Sequence, residues 1–523
     1  MKTGNAEGRQ GDEVPLFTQP DGIDPLPVNA EQAITPTQKY APIVSLARRP
    51  VLAIAAGVGL VLLLTSGRVG YFCDELYYLA AGYHLDWGYP DQGPLVPLLA
   101  RAMNIVFPGS LVGERLPATV LTAVGVVVAA LIARELGGRR RAQVLTAGTY
   151  AMAAMAGGHL LMTATVDVFF WVMATWLLVR WVRLRDDQLL LWLGVVTAIA
   201  LQNKWLIATF WLVVALSVLA VGPRDLLRRP LLWLGAVFAV LATVPNLLWQ
   251  ARHGWPQLAM AVVIAKEENL IGGRWAFLPL MLMTAGVGVG MALFCYGLWR
   301  LLRSPELRAY RFLGCSAVGL IVFFLITNGR FYYMAGLVAL LLAAGAVELQ
   351  RREPARWWRW VVTRPVYILS ATIALTALPV LPVSWPTLAR PVSLASLGWP
   401  ELTDTVAGAY RALPPATRRT TAVVANSYWD ASALDRYGPA RGLPHPYSPH
   451  RSYWYFGAPA DDAGTVLFVG SDSTHLHRYF TEIRQVATVI SPVTAPFVGA
   501  TPVWLCSGQR APWSQIWPQL RHL

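Results

Sequence analysis

The sequence predicts a polytopic α-helical membrane protein that ends in a small extracytoplasmic α/β domain. Three observations carry that expectation. Hydrophobic residues fill 55% of the 523 positions, charged residues only 14%, and mean hydropathy is +0.45, a balance that belongs in lipid. Long apolar runs recur between residues 50 and 383, and arginines gather between alternate runs.

A membrane-spanning helix needs about 20 apolar residues, somewhat fewer when short or tilted. Eleven runs qualify, at 50–67, 116–133, 142–157, 162–179, 188–203, 205–221, 230–249, 276–299, 312–327, 331–349 and 365–383. The first is internal, follows a polar stretch and lacks a cleavage-site context, so it reads as a helix and not a signal peptide. Residues 1–45, rich in Gly, Pro, Asp, Glu and Gln, read as a disordered cytoplasmic tail. Arg48–Arg49, Arg139–Arg141, Arg180–Arg185, Arg224–Arg229, Arg300–Arg311 and Arg351–Arg364 fall in every second loop. Cytoplasmic loops collect such charge, so the N-terminus is expected inside the plasma membrane and the region after the eleventh run outside it. The net charge of +14 therefore describes orientation. Nucleic-acid binding would need a basic patch on a soluble face, whereas these arginines are dispersed.

Residues 46–383 thus form the expected transmembrane domain, with an interfacial loop at 68–115. Residues 384–523 lose the apolar runs and show strand-like 421–425 and 465–469 beside a helix-like 401–412, about the size of a small domain. Cys73 and Cys506 both fall outside, where a disulfide is chemically possible.

Charges at the membrane surface locate the candidate site, since such groups are costly and by default functional. Asp74 and Glu75 lie in Tyr71-Phe-Cys-Asp-Glu-Leu-Tyr-Tyr78, two adjacent carboxylates ringed by aromatics. Burial and a like-charged neighbour both raise a carboxyl pKa and favour proton acceptance. The same segment continues through Tyr78 and Tyr89 to Asp91, Gln92 and Gly93. Asp167 begins the fourth run, Lys204 occupies a short turn, and Arg330 precedes Tyr332 and Tyr333. By the arginine topology all of these face outward, and one active site could collect them. Only four of the 43 basic residues are lysines. A lysine in a tight apolar turn suggests a compact ammonium set against a phosphate, against the plainer reading of a snorkelling anchor. The plain alternatives elsewhere are a helix-dipole acid for Asp167 and a helix anchor for Arg330. His253 and His450 have no local metal-ligand spacing, so a divalent metal would need to be assembled from distant residues with an acid such as Asp91. No cofactor is required by any motif.

Asp-Glu-Leu-Tyr-Tyr, Gly88-Tyr-Pro-Asp-Gln-Gly-Pro94, the Asp167 turn and Asn203-Lys204 together resemble the GT-C membrane glycosyltransferases of glycosyltransferase family 39, the group of protein O-mannosyltransferases and lipid A aminoarabinose transferases. Pro245-Asn-Leu-Leu-Trp-Gln250 with His253-Gly-Trp-Pro256, and Ala433-Leu-Asp-Arg-Tyr-Gly-Pro439 with Gly442-Leu-Pro444, fit the bacterial branch. The resemblance spans roughly 45–470. It implies a polyprenyl-phosphate sugar donor and transfer on the extracytoplasmic face. Asp74, with Glu75 beside it, is then the catalytic base. Lys204 and Arg330, with Tyr332 and Tyr333, contact the donor phosphate, while Asp167, Asp91, Tyr78 and Tyr89 line the cavity. The chain departs from the family pattern at Gln92-Gly93, where relatives often carry a basic residue and proline, and at Ser448-Pro-His450-Arg. The function expected is inverting transfer of a sugar to a cell-envelope glycan, lipid or secreted-protein hydroxyl. The alternatives are a glycolipid transporter or flippase, and a non-catalytic envelope-assembly protein.

Overall fold

Every one of the eleven apolar runs contains helix in the computed structural model, which describes residues 44–523 apart from 386, 389 and 492–497. Most of the expected 1–45 tail lies outside the described residues. The helices are α1 (Arg48–Thr65), α2 (Cys73–Tyr83), α3 (Leu95–Val106), α4 (Leu111–Glu135), α5 (Arg140–Ala154), α6 (Thr163–Leu184), α7 (Gln188–Asn203), α8 (Leu206–Val221), α9 (Pro230–Arg252), α10 (Pro256–Leu270), α11 (Gly273–Thr284), α12 (Val289–Arg303), α13 (Arg311–Thr327), α14 (Ala335–Arg351) and α15 (Arg364–Leu375).

Among the described residues six helical segments are individually long and apolar enough to cross a membrane: α1, α4, α6, α9, Pro305–Thr327 and Phe331–Arg351. The run at 276–299, expected as one span, is α11 and α12 bent by 104°. Gly286 and Gly288 at the break take φ values of +86° and +70°, which side-chain-bearing residues rarely adopt. Taken as one span, that pair makes seven. α7, α8 and α15 are shorter apolar helices.

The 68–115 segment is structured, as its composition suggests. It holds α2 and α3, and α3 is amphipathic, with Val96, Pro97 and Ala100 buried. The helix α10 corresponds to no apolar run. It follows Pro256, which occupies the first helical position without loss of a needed N–H.

After α15 come α16 (Arg390–Leu394), α17 (Trp399–Arg411), α18 (Pro415–Arg419), α19 (Tyr428–Tyr437), α20 (Tyr453–Phe456) and α21 (Trp513–Leu520). They surround a five-stranded sheet of order β2-β1-β3-β5-β4, built from β1 (Thr421–Ala425), β2 (Pro446–Tyr447), β3 (Thr465–Val469), β4 (Phe480–Thr488) and β5 (Pro502–Gln509). β1 runs parallel to β2 and β3, and β5 runs antiparallel to β3 and β4. Both strands legible in the sequence, β1 and β3, are the central buried ones. α19 leaves the sheet and packs on α2, which brings this domain onto the carboxylate segment. Cys73 and Cys506 are both buried free thiols.

One ion pair ties the membrane part to that segment. Glu75 and Arg115 are both fully buried, with Arg115 Nη2 2.6 Å from Glu75 Oε2 and Nε 2.8 Å from Oε1. Arg115 also donates to the carbonyls of Ser66 and Gly70. Glu75 accepts the backbone N–H of Phe72 at 2.9 Å and of Leu161 at 3.1 Å. The end of α1, the start of α2, α4 and the approach to α6 therefore meet at one carboxylate. Removing a single member of a buried pair costs about 3–5 kcal/mol, because the other charge is left unpaired. Glu75→Gln is expected to lower the thermal unfolding midpoint in detergent by many degrees, while Asp74→Asn leaves it within a degree or two. Equal midpoints for the two variants would contradict this division of labour.

Candidate active site

The helix start that fixes Glu75 inward turns its neighbour the other way. Asp74 lines a cavity with Tyr77, Tyr78, Asp91, Gln92, Thr163, Lys204, Arg330, Tyr332 and Tyr333, closed by Met260 and Ile264 of α10 and by Tyr428 and Arg451 of the C-terminal domain. Seven of the residues singled out in the sequence thus converge: Asp74, Asp91, Lys204, Arg330, Tyr78, Tyr332 and Tyr333.

Asp74 Oδ1 accepts from Tyr428 Oη at 3.1 Å and from Trp429 Nε1 at 2.9 Å. Both donors come from the first turn of α19, capped by Ser427. Among the described residues no donor reaches Oδ2 within hydrogen-bond distance. Asp74 is therefore held by one oxygen and presents the other. The Lys204 ammonium lies 4.7 Å from the ring centre of Tyr333, a favourable cation–π distance, and has no ion-pair partner among the described residues. Its backbone is extended after α7 and caps it by donating to Ala200 O at 2.9 Å. Asp167 is buried at the fifth position of α6 and attracts Lys204 electrostatically, but it does not line the cavity.

Two arginines share a carboxylate strap from α10. Arg330 pairs with Glu267 and, at 2.8 Å, with Glu268. Arg451 donates to Glu267 at 2.8 Å and to Tyr428 Oη at 3.0 Å, and stands 3.7 Å from Asp91. Asp91 also accepts from Tyr77 Oη at 2.8 Å. Burial raises the Asp91 carboxyl above its usual range, against the opposing pull of Arg451. Arg451 has a φ of +50°, a left-handed conformation that costs a non-glycine residue energy and that surrounding contacts must hold.

The remaining candidates do not join the site. Glu75 is sequestered by Arg115. Tyr89 is buried, its hydroxyl donating to the carbonyls of Ala81 and His84, and it shapes the loop without entering the cavity. The suggested metal set does not converge. Asp91 is engaged by Tyr77 and Arg451, His253 bonds the Trp249 carbonyl at 2.7 Å and stacks on that indole, and His450 stacks on His522. Burial, with His522 and Arg451 close by, pushes His450 down to about 2. Among the described residues no three His, Cys, Asp or Glu side chains group as metal ligands.

Tyr428, Trp429, Arg451 and Glu267 escaped the sequence reading. They lie beyond or between the apolar runs, and nothing local signals that the chain returns to α2. The Pro245–Gln250 motif proves to be a clamp. Asn246 donates to Trp87 O at 2.8 Å, Trp249 to Asp86 at 2.7 Å and Gln250 to Tyr89 O at 2.9 Å, fixing the loop that delivers Asp91.

Comparison with known proteins bears on the fold. Residues 91–249 match the family model described as dolichyl-phosphate-mannose-protein mannosyltransferase. The fold is similar to the crystal structures of ArnT from Cupriavidus metallidurans. The apo form matches with TM-score 0.57 and the form bound to undecaprenyl phosphate with 0.56, each at 16% identity over 87% of this chain and 97% of that one. At that identity the likeness is one of fold. No curated protein matches the chain by sequence. The chain thus shares the fold of ArnT, and its segment 91–249 matches the mannosyltransferase family model.

Asp430, next to Trp429 on α19, is buried, with its Oδ1 unpartnered among the described residues, and burial raises its carboxyl to about 7. A raised carboxyl contributes stability that is full below the unfolded value of about 4 and is lost as pH rises through about 7. Relative to Asp430→Asn, the wild-type unfolding midpoint should fall between pH 4 and pH 8. A pH-independent difference would contradict the burial argument.

Proposed function

We propose that the protein moves a sugar from a polyprenyl-phosphate carrier to a hydroxyl of a cell-envelope glycan or lipid, at the extracytoplasmic face of the plasma membrane. The observation that supports this most is the presence in one cavity of a carboxylate oxygen that accepts no hydrogen bond and an ammonium that makes no direct ion pair, both among the described residues. The acceptor hydroxyl gives its proton to Asp74 as its oxygen bonds to the anomeric carbon. The bond from that carbon to the phosphate oxygen breaks, and its electron pair leaves with the phosphate. Lys204 stabilises the charge that develops there. With base and leaving group on opposite sides of the carbon, a single displacement inverts its configuration.

Arg330 and Arg451 can add to phosphate binding once the donor displaces Glu267. The apolar helices beside the cavity suit the prenyl chain, and ArnT, which shares the fold, is named as binding undecaprenyl phosphate. The outward orientation rests on the arginine distribution. Helix direction supports it. The buried pairs of Glu135 with Arg180 and Arg183, and of Glu348 with Arg300 and Arg351, lie at the helix ends away from Asp74.

Purified protein in lipid should transfer label from a polyprenyl-phosphate sugar. Asp74→Asn should lower turnover by on the order of 10²-fold or more without loss of donor binding. Lys204→Ala should lower kcat/KM for the donor on the order of 10²-fold. Full turnover by Asp74→Asn would remove the mechanism.

A further inference from the structure

Gln92 has no place in the chemistry above, yet it is 1% exposed and lines the cavity, and among the described residues neither its Oε1 nor its Nε2 has a hydrogen-bond partner. Leaving both ends of a buried amide unpaired is costly, and native interiors rarely do so without a ligand or water to complete them. The backbone around it is fixed. Gly93 N–H donates to Asn203 O at 3.0 Å, and Gln92 O accepts from Tyr89 N–H at 3.2 Å. A Cβ on Gly93 would stand 2.0 Å from Gln202 O, so only glycine lets the Asp91–Gln92 turn press against the turn that carries Lys204. The backbone that carries the amide is therefore fixed against the turn before Lys204, and the residue lines one cavity with Asp91 and Lys204.

We infer that Gln92 is a specificity-determining residue that binds a hydroxyl of the donor sugar, and that the sugar is uncharged at that position. This rests on the polyprenyl-phosphate reading. A hydroxyl both donates and accepts, so one hydroxyl, or a vicinal pair, satisfies both ends of the amide. An ammonium satisfies Oε1 only, leaves the Nε2 protons unpaired and adds positive charge beside Lys204. A site built to bond a hydroxyl discriminates strongly against ligands that lack it. Gln92 also differs from its charged surroundings in kind. Phosphate attraction is supplied by Lys204, with Arg330 and Arg451 near, so a neutral amide adds recognition in place of charge.

The test uses the full chain in lipid nanodiscs and three probes: undecaprenyl phosphate, undecaprenyl-phosphate mannose, and undecaprenyl-phosphate 4-amino-4-deoxyarabinose. The wild type is expected to bind the neutral glycoside at least roughly tenfold more tightly than the bare carrier or the amino sugar. Gln92→Leu should bring the glycoside to the level of the bare carrier and change bare-carrier affinity by less than about twofold. Gln92→Glu, which keeps the shape but loses the NH₂ donors, should also lose the preference. Equal loss of bare-carrier binding would make Gln92 a phosphate ligand and overturn the inference. So would a preference that survives in both variants, or its absence in the wild type. If the wild type binds none of the three probes, the donor reading itself fails, a result separate from any that Gln92 alone can produce.

Discussion

The buried pair of Glu75 and Arg115 is the constraint on which the site depends. It consumes both oxygens of one carboxylate and gathers the end of α1, the start of α2, α4 and Leu161 around them. Because successive residues on a helix point about 100° apart, fixing Glu75 inward directs Asp74 toward the cavity. Adjacent acids of the same charge thus take opposite roles: one neutralised in the interior, the other held at the membrane surface by Tyr428 and Trp429. The C-terminal domain does more than cover the site. It supplies the donors that hold Asp74 and the arginine that faces Asp91.

Charge in the cavity is distributed unevenly in a way that bears on chemistry. Arg330 and Arg451 are already paired with Glu267 and Glu268, whereas Lys204 lies over the Tyr333 ring with no direct ion pair among the described residues. In the proposed reaction the donor phosphate would meet one cation outside any direct ion pair and two already paired with α10. An ammonium on an aromatic face is a weaker commitment than an ion pair, and it costs little to redirect. That contrast fits a lysine at this place in a chain whose basic residues are mostly arginine.

Much of this was legible in the sequence, and for physical reasons. Lipid forces long apolar helices, so all eleven runs are helical, and β1 and β3 were visible because fully buried strands read as continuous β-branched runs. Charges in costly places marked Asp74, Lys204 and Arg330. The Glu75 role was not visible, since its partner Arg115 is 40 residues away and looked like a scattered loop cation. Ion pairing of the cytoplasmic-type arginines with Glu135 and Glu348 was hidden in the same way. α10 and its strap were missed because that helix has no apolar run of membrane length. The bend at Gly286 and Gly288 depends on two glycines within a run whose composition alone reads as continuous. Tyr428, Trp429 and Arg451 are contacts over hundreds of residues, which no local pattern encodes.

The central claim is that Lys204 and Asp74 flank the scissile carbon–phosphate linkage of a lipid-borne sugar. An experimental structure with undecaprenyl phosphate bound tests it most directly. A phosphate oxygen is expected within hydrogen-bond range of the Lys204 ammonium, with the Asp74 carboxylate across the cavity and Glu267 displaced from at least one arginine. A phosphate seated away from Lys204, with the Glu267 contacts intact, would contradict it.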